Sequence, residues 1–500
     1  MNPALAAPLR EALLAADFTY DGVAEVLGTR AHDALGRNET TPGRQRTSGG
    51  SAIETLIRLF LLQMPVPLAA AEAALPGLVD RLAVAGLLEQ SVSEVAARLD
   101  CRPYATDSGT DEQRHLWVVS DLTPGLDGGP QRLGGDHVLG ISPASSSLAQ
   151  LTLREPVGSA LDLGTGCGVQ ALHLAVHAAR VVATDVNSRA LTIARFNAAL
   201  NNVADRIDVR EGSFFEPVRQ ERFDLIATNP PFVISPALHH QRGERLVYRD
   251  SGLPGDRVVE DIVRAAPDHL NPGGWCQVLA NWVISTSRSW DERLAEWLSP
   301  DHDALVVQRE VLDPAAYVEL WLKDAGQHGS ADYLQRYDTW LSWFDAQGIE
   351  AIGFGWVNLH AAERSQTPGA RRVELLEWPY DVEQPIAPAI RDWGLAKPDA
   401  VSLESRLTTR EDVVQETAGP VGAEDPATIV LRQQRGLRRA RAADTVEAAL
   451  VGACDGELSV GQLLGAISKL LGHDEEEAQR AMTSYLPIVQ EMVAQGFLEA

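Results

Sequence analysis

Residues 159 to 185 constrain the fold more than any other stretch of the chain. An apolar strand, Ser159-Ala160-Leu161-Asp162-Leu163, runs into Gly164-Thr165-Gly166-Cys167-Gly168 and then into the helical pattern Val169-Gln170-Ala171-Leu172. Glycines at alternate positions let the backbone turn tightly and approach a ligand closely. The next apolar run, Val181-Val182-Ala183-Thr184, ends at Asp185, about 20 residues on, where an acid can bind ribose hydroxyls. The order is strand, turn, helix, strand. Its G-x-G-x-G spacing departs from the G-x-G-x-x-G dinucleotide fingerprint, and glycine-rich turns of this kind also serve phosphates. A purely structural turn is the plain alternative for the glycines, and a helix N-cap is the plain alternative for Asp185.

A later apolar run, Phe223-Asp224-Leu225-Ile226-Ala227-Thr228, stops at Asn229-Pro230-Pro231-Phe232. The two prolines fix φ and remove two N–H donors, leaving the carbonyls of that turn free to accept hydrogen bonds. An amide side chain, acceptor carbonyls and an aromatic face suit a planar NH2-bearing group: a carboxamide, or the exocyclic amine of a base. The nitrogen of such a group is a poor nucleophile because its lone pair is delocalised. Hydrogen bonds from it to the Asn229 side-chain oxygen and the Pro230 carbonyl draw it toward pyramidal geometry. That interaction is worth more in the transition state than in the ground state. Phe232 is expected to stack on the planar group. An ordinary turn after a strand is the competing reading of this motif.

With both motifs in this order on successive strands, the chain resembles the class I S-adenosylmethionine-dependent methyltransferases. Within them it resembles the Asn-Pro-Pro-aromatic branch that methylates nitrogen, which includes release-factor glutamine, ribosomal RNA guanine and adenine amine methyltransferases. The resemblance spans residues 137 to 360 and takes in Ala190 to Asn202 and Gly212 to Pro217. It implies a doubly wound, seven-stranded Rossmann-like α/β core with a final reversed strand pair. It implies S-adenosyl-L-methionine as cofactor, contacted by Asp162, Gly164, Thr165, Gly166, Gly168, Asp185, Val186, Ser213, Phe214 and Asn229. Asn229, Pro230 and Phe232 would carry the reaction. Ser213 departs from the acidic residue that many relatives carry there. The glutamine enzymes usually have Tyr after the two prolines, whereas Phe232 is similar to the ribosomal RNA enzymes.

No metal is expected. His239 and His240 are adjacent, and with Glu244 they read as a surface loop, not a ligand set. Tyr248 and Asp250 read as loop contacts, with gating of the substrate slot as the sharper alternative. Gly140 to Ser147 divides between a segment covering the cofactor and a serine-rich helix cap. Trp321, Trp340, Trp343 and Trp356 read as core.

The 500 residues point to two or three domains. Residues 1–133 read as a mostly helical N-terminal domain whose Ser91–Leu99 and His115–Val119 stretches suit a small winged module. Residues 134–400 form the catalytic domain, and 401–500 a winged-helix-like C-terminal module. A net charge of -26 argues against broad attraction to a phosphate backbone, although Arg432 to Arg441 is a dense basic run and the place where a nucleic-acid contact is expected. The four cysteines lack disulfide or metal spacing. The amphipathic start lacks the pattern of a signal peptide, and no apolar stretch is long enough to span a membrane, so a cytoplasmic enzyme is expected. Its substrate is expected to be macromolecular: protein and RNA both remain open, and DNA ranks behind them. The alternatives are a DNA adenine amine methyltransferase and a catalytically inactive binding protein that keeps the cofactor fold.

Overall fold

The computed structural model describes residues 1–106, 115–128, 133–236, 248–249, 252–327, 330–362, 371–421 and 426–499. They fall into two compact units, Met1–Trp378 and Pro379–Ala500. The second unit thus begins upstream of the boundary expected at residue 400, and the boundary expected at residue 133 lies inside the first unit.

The first unit is organised by one sheet. In chain order its strands are β1 (Val157–Leu163), β2 (Ala178–Asp185), β3 (Ile207–Glu211), β4 (Phe223–Thr228), β5 (Leu270–Ser285), β6 (Asp303–Leu312), β7 (Ile349–His360) and β8 (Val373–Glu377). Side by side they run β8-β6-β7-β5-β4-β1-β2-β3. Strands β1 to β5 are parallel, and β7 is antiparallel to both of its neighbours, β5 and β6. The first seven strands therefore include the expected reversed pair. The expected count of seven is exceeded because β8 adds in parallel to the outer edge of β6, using backbone groups that an edge strand leaves unpaired.

The connecting helices are α1 (Pro143–Leu151), α2 (Val169–His177), α3 (Ser188–Leu200), α4 (Arg257–Ala265), α5 (Pro314–Asp324) and α6 (Tyr333–Gln347). The central strands read as continuous apolar runs, with Val181, Val182 and Ala183 fully buried, as in a parallel sheet whose faces are both covered. α4 places Val258, Val259, Ile262 and Val263 in the sheet's core. Tyr317, Trp340 and Phe344 of α5 and α6 form a second apolar cluster with Val233 and Ile234, just beyond the Asn-Pro-Pro-Phe turn.

The N-terminal residues are helical from Ala6 to Val84 with interruptions, one of them at Pro76-Gly77, where Gly77 has φ +66°. Val66–Pro67, Glu94–Ala97 and Leu88–Gln90 form a small antiparallel sheet, and Leu99–Ala105 pairs with His115–Asp121 in a hairpin. This region shares its core with Phe196 and Leu200 of α3. Asn197 of α3 and Asn201, which caps its C-terminus, act as a strand toward the hairpin. Asn201 bonds both the N–H and the carbonyl of Trp117, and Asn197 does the same at Val119, at 2.8 to 2.9 Å. These bonds and the shared core explain why the chain does not divide at residue 133.

In the second unit, Asp455–Ser459, Arg406–Thr409 and Leu498–Glu499 form one small sheet beside helices Thr445–Ala453, Val460–Leu470 and Glu475–Gln495. Val413–Ala418, Thr428–Gln433 and Ala440–Ala443 form another. The basic run lies on this second sheet and is largely engaged within its own unit. Arg432 pairs with Glu416 at 2.8 Å, Arg441 pairs with Glu447 at 3.0 Å, and Arg439 is buried. Among the described residues no helix is long and apolar enough to cross a membrane.

Candidate active site

At the carboxyl ends of β1, β2, β3 and β4 lies a cleft of about 190 Å³, the position where open α/β sheets bind ligands. Its wall is built from the glycine turn. The Gly164 and Thr165 amides both donate to the Thr184 carbonyl, at 2.9 and 2.8 Å, which pins the end of β1 to the end of β2. Gly164 and Gly166 have φ of +79° and +53°, and a Cβ placed on either would meet no atom of the described residues within 4 Å. Open space therefore faces the turn, as a cradle for a ligand requires.

Asp162 and Asp185 lock this wall. Asp162 is buried, and its Oδ2 accepts the Thr165 hydroxyl at 2.5 Å and the Ala171 amide at 2.9 Å, closing the first turn of α2. Burial pushes its carboxyl up to about 7. Asp185 Oδ2 accepts the Gly166 amide and its Oδ1 the Asn187 amide, both at 2.8 Å. Burial raises the Asp185 carboxyl as well, against the lowering effect of those amides. Asn187, not Asp185, caps α3.

Asp162, Gly164, Thr165, Gly166, Asp185, Val186, Ser213, Phe214 and Asn229 all line the cleft. Phe214 does so with φ +45°, a conformation a bulky side chain adopts only when its surroundings hold it there. Phe215, next to it, points into the core and stacks on His269 at 4.4 Å. Three of the expected site residues are not in the lining. Gly168 has φ +88° and caps α2, and a Cβ there would sit 3.2 Å from that of Ala194, so its smallness serves helix packing. Pro230 is buried beneath the turn while Pro231 lines the cleft. The Phe232 ring turns edge-on to Trp321, with centroids 6.2 Å apart, and packs on the sheet's core.

The most telling atom is Asn229 Oδ1. It is buried in the cleft wall and has no hydrogen-bond partner among the described residues. A buried acceptor without a protein donor is costly, so it calls for a donor from water or a bound ligand. The turn that carries Asn229 is held from both sides: Thr228 Oγ1 donates to Leu163 O at 2.7 Å, and the Ile234 amide donates to the Tyr317 hydroxyl at 2.9 Å.

The segment 138–145 also lines the cleft, through Val138, Leu139, Gly140, Ser142 and Ser145. It is anchored at Asp121, whose carboxylate takes the Val138 amide at 2.8 Å and pairs with Arg189. Sequence reading missed His137 and Gln170. His137 lies 3.6 Å from Asp121, and its ring meets Tyr248 edge-on at 6.0 Å. Burial lowers the His137 imidazole. The one available signal for Gln170 was a polar residue among the buried apolar positions of α2. Tyr248 lines the cleft and hydrogen-bonds Asp324 at 3.2 Å. His239, His240, Glu244 and Asp250 lie outside the described residues, among which no group of three His, Cys, Asp or Glu side chains is placed to hold a metal.

Comparison with known proteins agrees with this geometry. Residues 140–298 match the methyltransferase small domain. Residues 15–98 and 391–500 match two domains of unknown function, DUF7059 and DUF7782. A release factor glutamine methyltransferase of Cereibacter sphaeroides is 37% identical over 139 residues, covering 26% of this chain and 50% of that protein. One from Geobacter sulfurreducens is 38% identical, covering 24% of this chain and 43% of that protein. A ribosomal protein uL3 glutamine methyltransferase of Bradyrhizobium diazoefficiens is 36% identical, covering 28% of this chain and 44% of that protein. The chain thus spans half or less of the length of these curated relatives. With a glycine turn between β1 and α2, an acid ending β2 and a cleft at the carboxyl ends of the strands, residues 140–298 are a class I methyltransferase domain.

Proposed function

We propose that the protein is an S-adenosylmethionine-dependent N-methyltransferase that acts on a planar carboxamide, the side chain of a glutamine in a protein. The observation that carries this reading is Asn229 Oδ1, buried in the cleft wall without a partner among the described residues. The names of the similar glutamine methyltransferases support the amide over a base.

The residues present fit the cofactor. Gly164 and Gly166 leave room for close approach, Asp185 has lone pairs left for ribose hydroxyls, and Ser213 with Phe214 borders the base. When bound, S-adenosylmethionine supplies a methyl group activated by its sulfonium leaving group. Asn229 Oδ1 accepts one N–H of the incoming carboxamide and holds its nitrogen at the cleft. The hydrogen bond strengthens as that N–H becomes more acidic, so Asn229 stabilises the transition state above the ground state. Pro231 and the buried Pro230 keep the turn rigid, and Thr228 and Tyr317 fix its two ends, so the acceptor needs no reorganisation during reaction. Phe232 acts through this framework, with its ring against Trp321. The C-terminal unit, read as a winged-helix-like module, is inferred to dock the macromolecular substrate.

The test is transfer of labelled methyl from S-adenosylmethionine to fractionated extract, followed by digestion of the labelled fraction. Label recovered as N-methylglutamine is the expected result. Label in RNA or DNA would replace the amide by a base amine, and absence of any transfer would favour a binding protein with the cofactor fold.

A further inference from the structure

Asn229 Oδ1 is not alone: Thr184 and Gln170 also line the cleft, and Thr184 Oγ1 and Gln170 Oε1 are buried atoms without a hydrogen-bond partner among the described residues. A hydroxyl both donates and accepts and can rotate toward what it meets. The Gln170 carbonyl has no such freedom. Gln170 is 4% exposed and lies in the first turn of α2, between Val169 and Ala171. Its Nε2 donates to the Ser145 carbonyl at 2.6 Å. Turning the amide over would set two carbonyl oxygens against each other, so the orientation is determined and Oε1 is the atom left over. A glutamine there leaves an acceptor that only an arriving donor can satisfy.

The donor can be placed. On the cofactor reading above, on which this inference rests, the ribose lies at Asp185 after β2 and the base at Ser213 and Phe214 after β3. The amino-acid tail then extends the other way, over β1 and the start of α2. There the N-terminal amides of α2 favour its carboxylate. Its ammonium has three N–H donors to satisfy, more than Asp162 can serve while its Oδ2 holds Thr165 and Ala171. We propose that Gln170 is a cofactor-binding residue whose Oε1 accepts the ammonium of the methionine tail. While doing so it holds the Ser145 end of the 138–145 segment across the cleft through Nε2. A charge-assisted bond of this kind is stronger than one between neutral partners.

The experiment is a titration of the full chain with three ligands. These are S-adenosylhomocysteine, its analogue with hydrogen in place of the amino group, and 5′-methylthioadenosine, which has no amino-acid tail. Gln170→Leu should weaken S-adenosylhomocysteine about tenfold to a hundredfold and leave methylthioadenosine within about twofold. Wild type should lose a similar factor on removal of the amino group, and the variant should lose almost nothing more, as expected when both changes delete one interaction. Gln170→Met, which keeps the length of the side chain, should behave like Gln170→Leu and serves if the leucine variant folds poorly. Equal losses for S-adenosylhomocysteine and methylthioadenosine would assign Gln170 to support of Ser145 alone and overturn the proposal. Unchanged affinities would overturn it as well. A wild-type protein that bound none of the three would remove the cofactor reading itself, a different result from either.

Discussion

The carboxylate of Asp185 accepts the amide of Gly166 at 2.8 Å. The acid that ends β2 therefore holds the glycine turn that ends β1, and the two sequence motifs form one piece of the cleft wall. Asp185 shapes the ligand's cradle as well as offering it lone pairs, so affinity and local order are coupled at this residue.

Asp185→Ala should accordingly weaken S-adenosylhomocysteine by about 1.5–3 kcal/mol, or ten- to a hundredfold. Asp185→Asn keeps an acceptor for Gly166 and should lose less. Calorimetric titration of both variants checks this, and equal affinity in wild type and the alanine variant would contradict the assignment.

Asn229→Ala should lower kcat and kcat/KM together by about a hundredfold or more, because an oriented acceptor acts mainly in the transition state. Cofactor affinity should hardly change. Initial rates on the labelled substrate, alongside cofactor titration, separate the two effects.

Asp162 makes stability depend on pH in a defined direction. Its carboxyl is raised by burial from 3.8 to about 7, so the folded state binds a proton that the unfolded chain has already lost in that window. The contribution is fully present below about 4 and is lost as pH rises toward about 7. Asp162→Asn should flatten this slope. Urea denaturation of both proteins at pH 5 and pH 8 reads the difference, and parallel curves would refute it.

Asn197 bonds both backbone groups of Val119 and also donates to Cys167 O in the glycine turn at 2.8 Å. Asn197→Leu should destabilise the first unit by about 1–3 kcal/mol, since buried backbone groups lose their partners. Hydrogen exchange should rise at Val119 first. Unaltered protection there would show that the hairpin does not depend on this side chain.

The sequence by itself determined the central architecture and the core of the candidate site. The turn at Gly164 to Gly168, the acid at Asp185 and the stop at Asn229 are local signals. Each depends on a strand ending and on residues within a few positions of it, and strands ending on one edge of a parallel sheet bring such residues together. Contacts between distant segments carry no such signature. Phe232 turned toward Trp321, Gln170 bonded to Ser145 and Val373–Glu377 added beside β6 were decided by packing and by the need to pair buried polar groups. The basic run from Arg432 to Arg441 looked like one charged surface in the sequence. Only the folded strands set Arg432 against Glu416 and Arg441 against Glu447, because a β-ladder and a nearby helix brought those acids within reach. Likewise the N-terminal region joined the first unit because Asn197 and Asn201 lie one helical turn apart and face the hairpin's free backbone. Helical spacing put those two side chains on one face, and the hairpin's position alone made that face a docking edge.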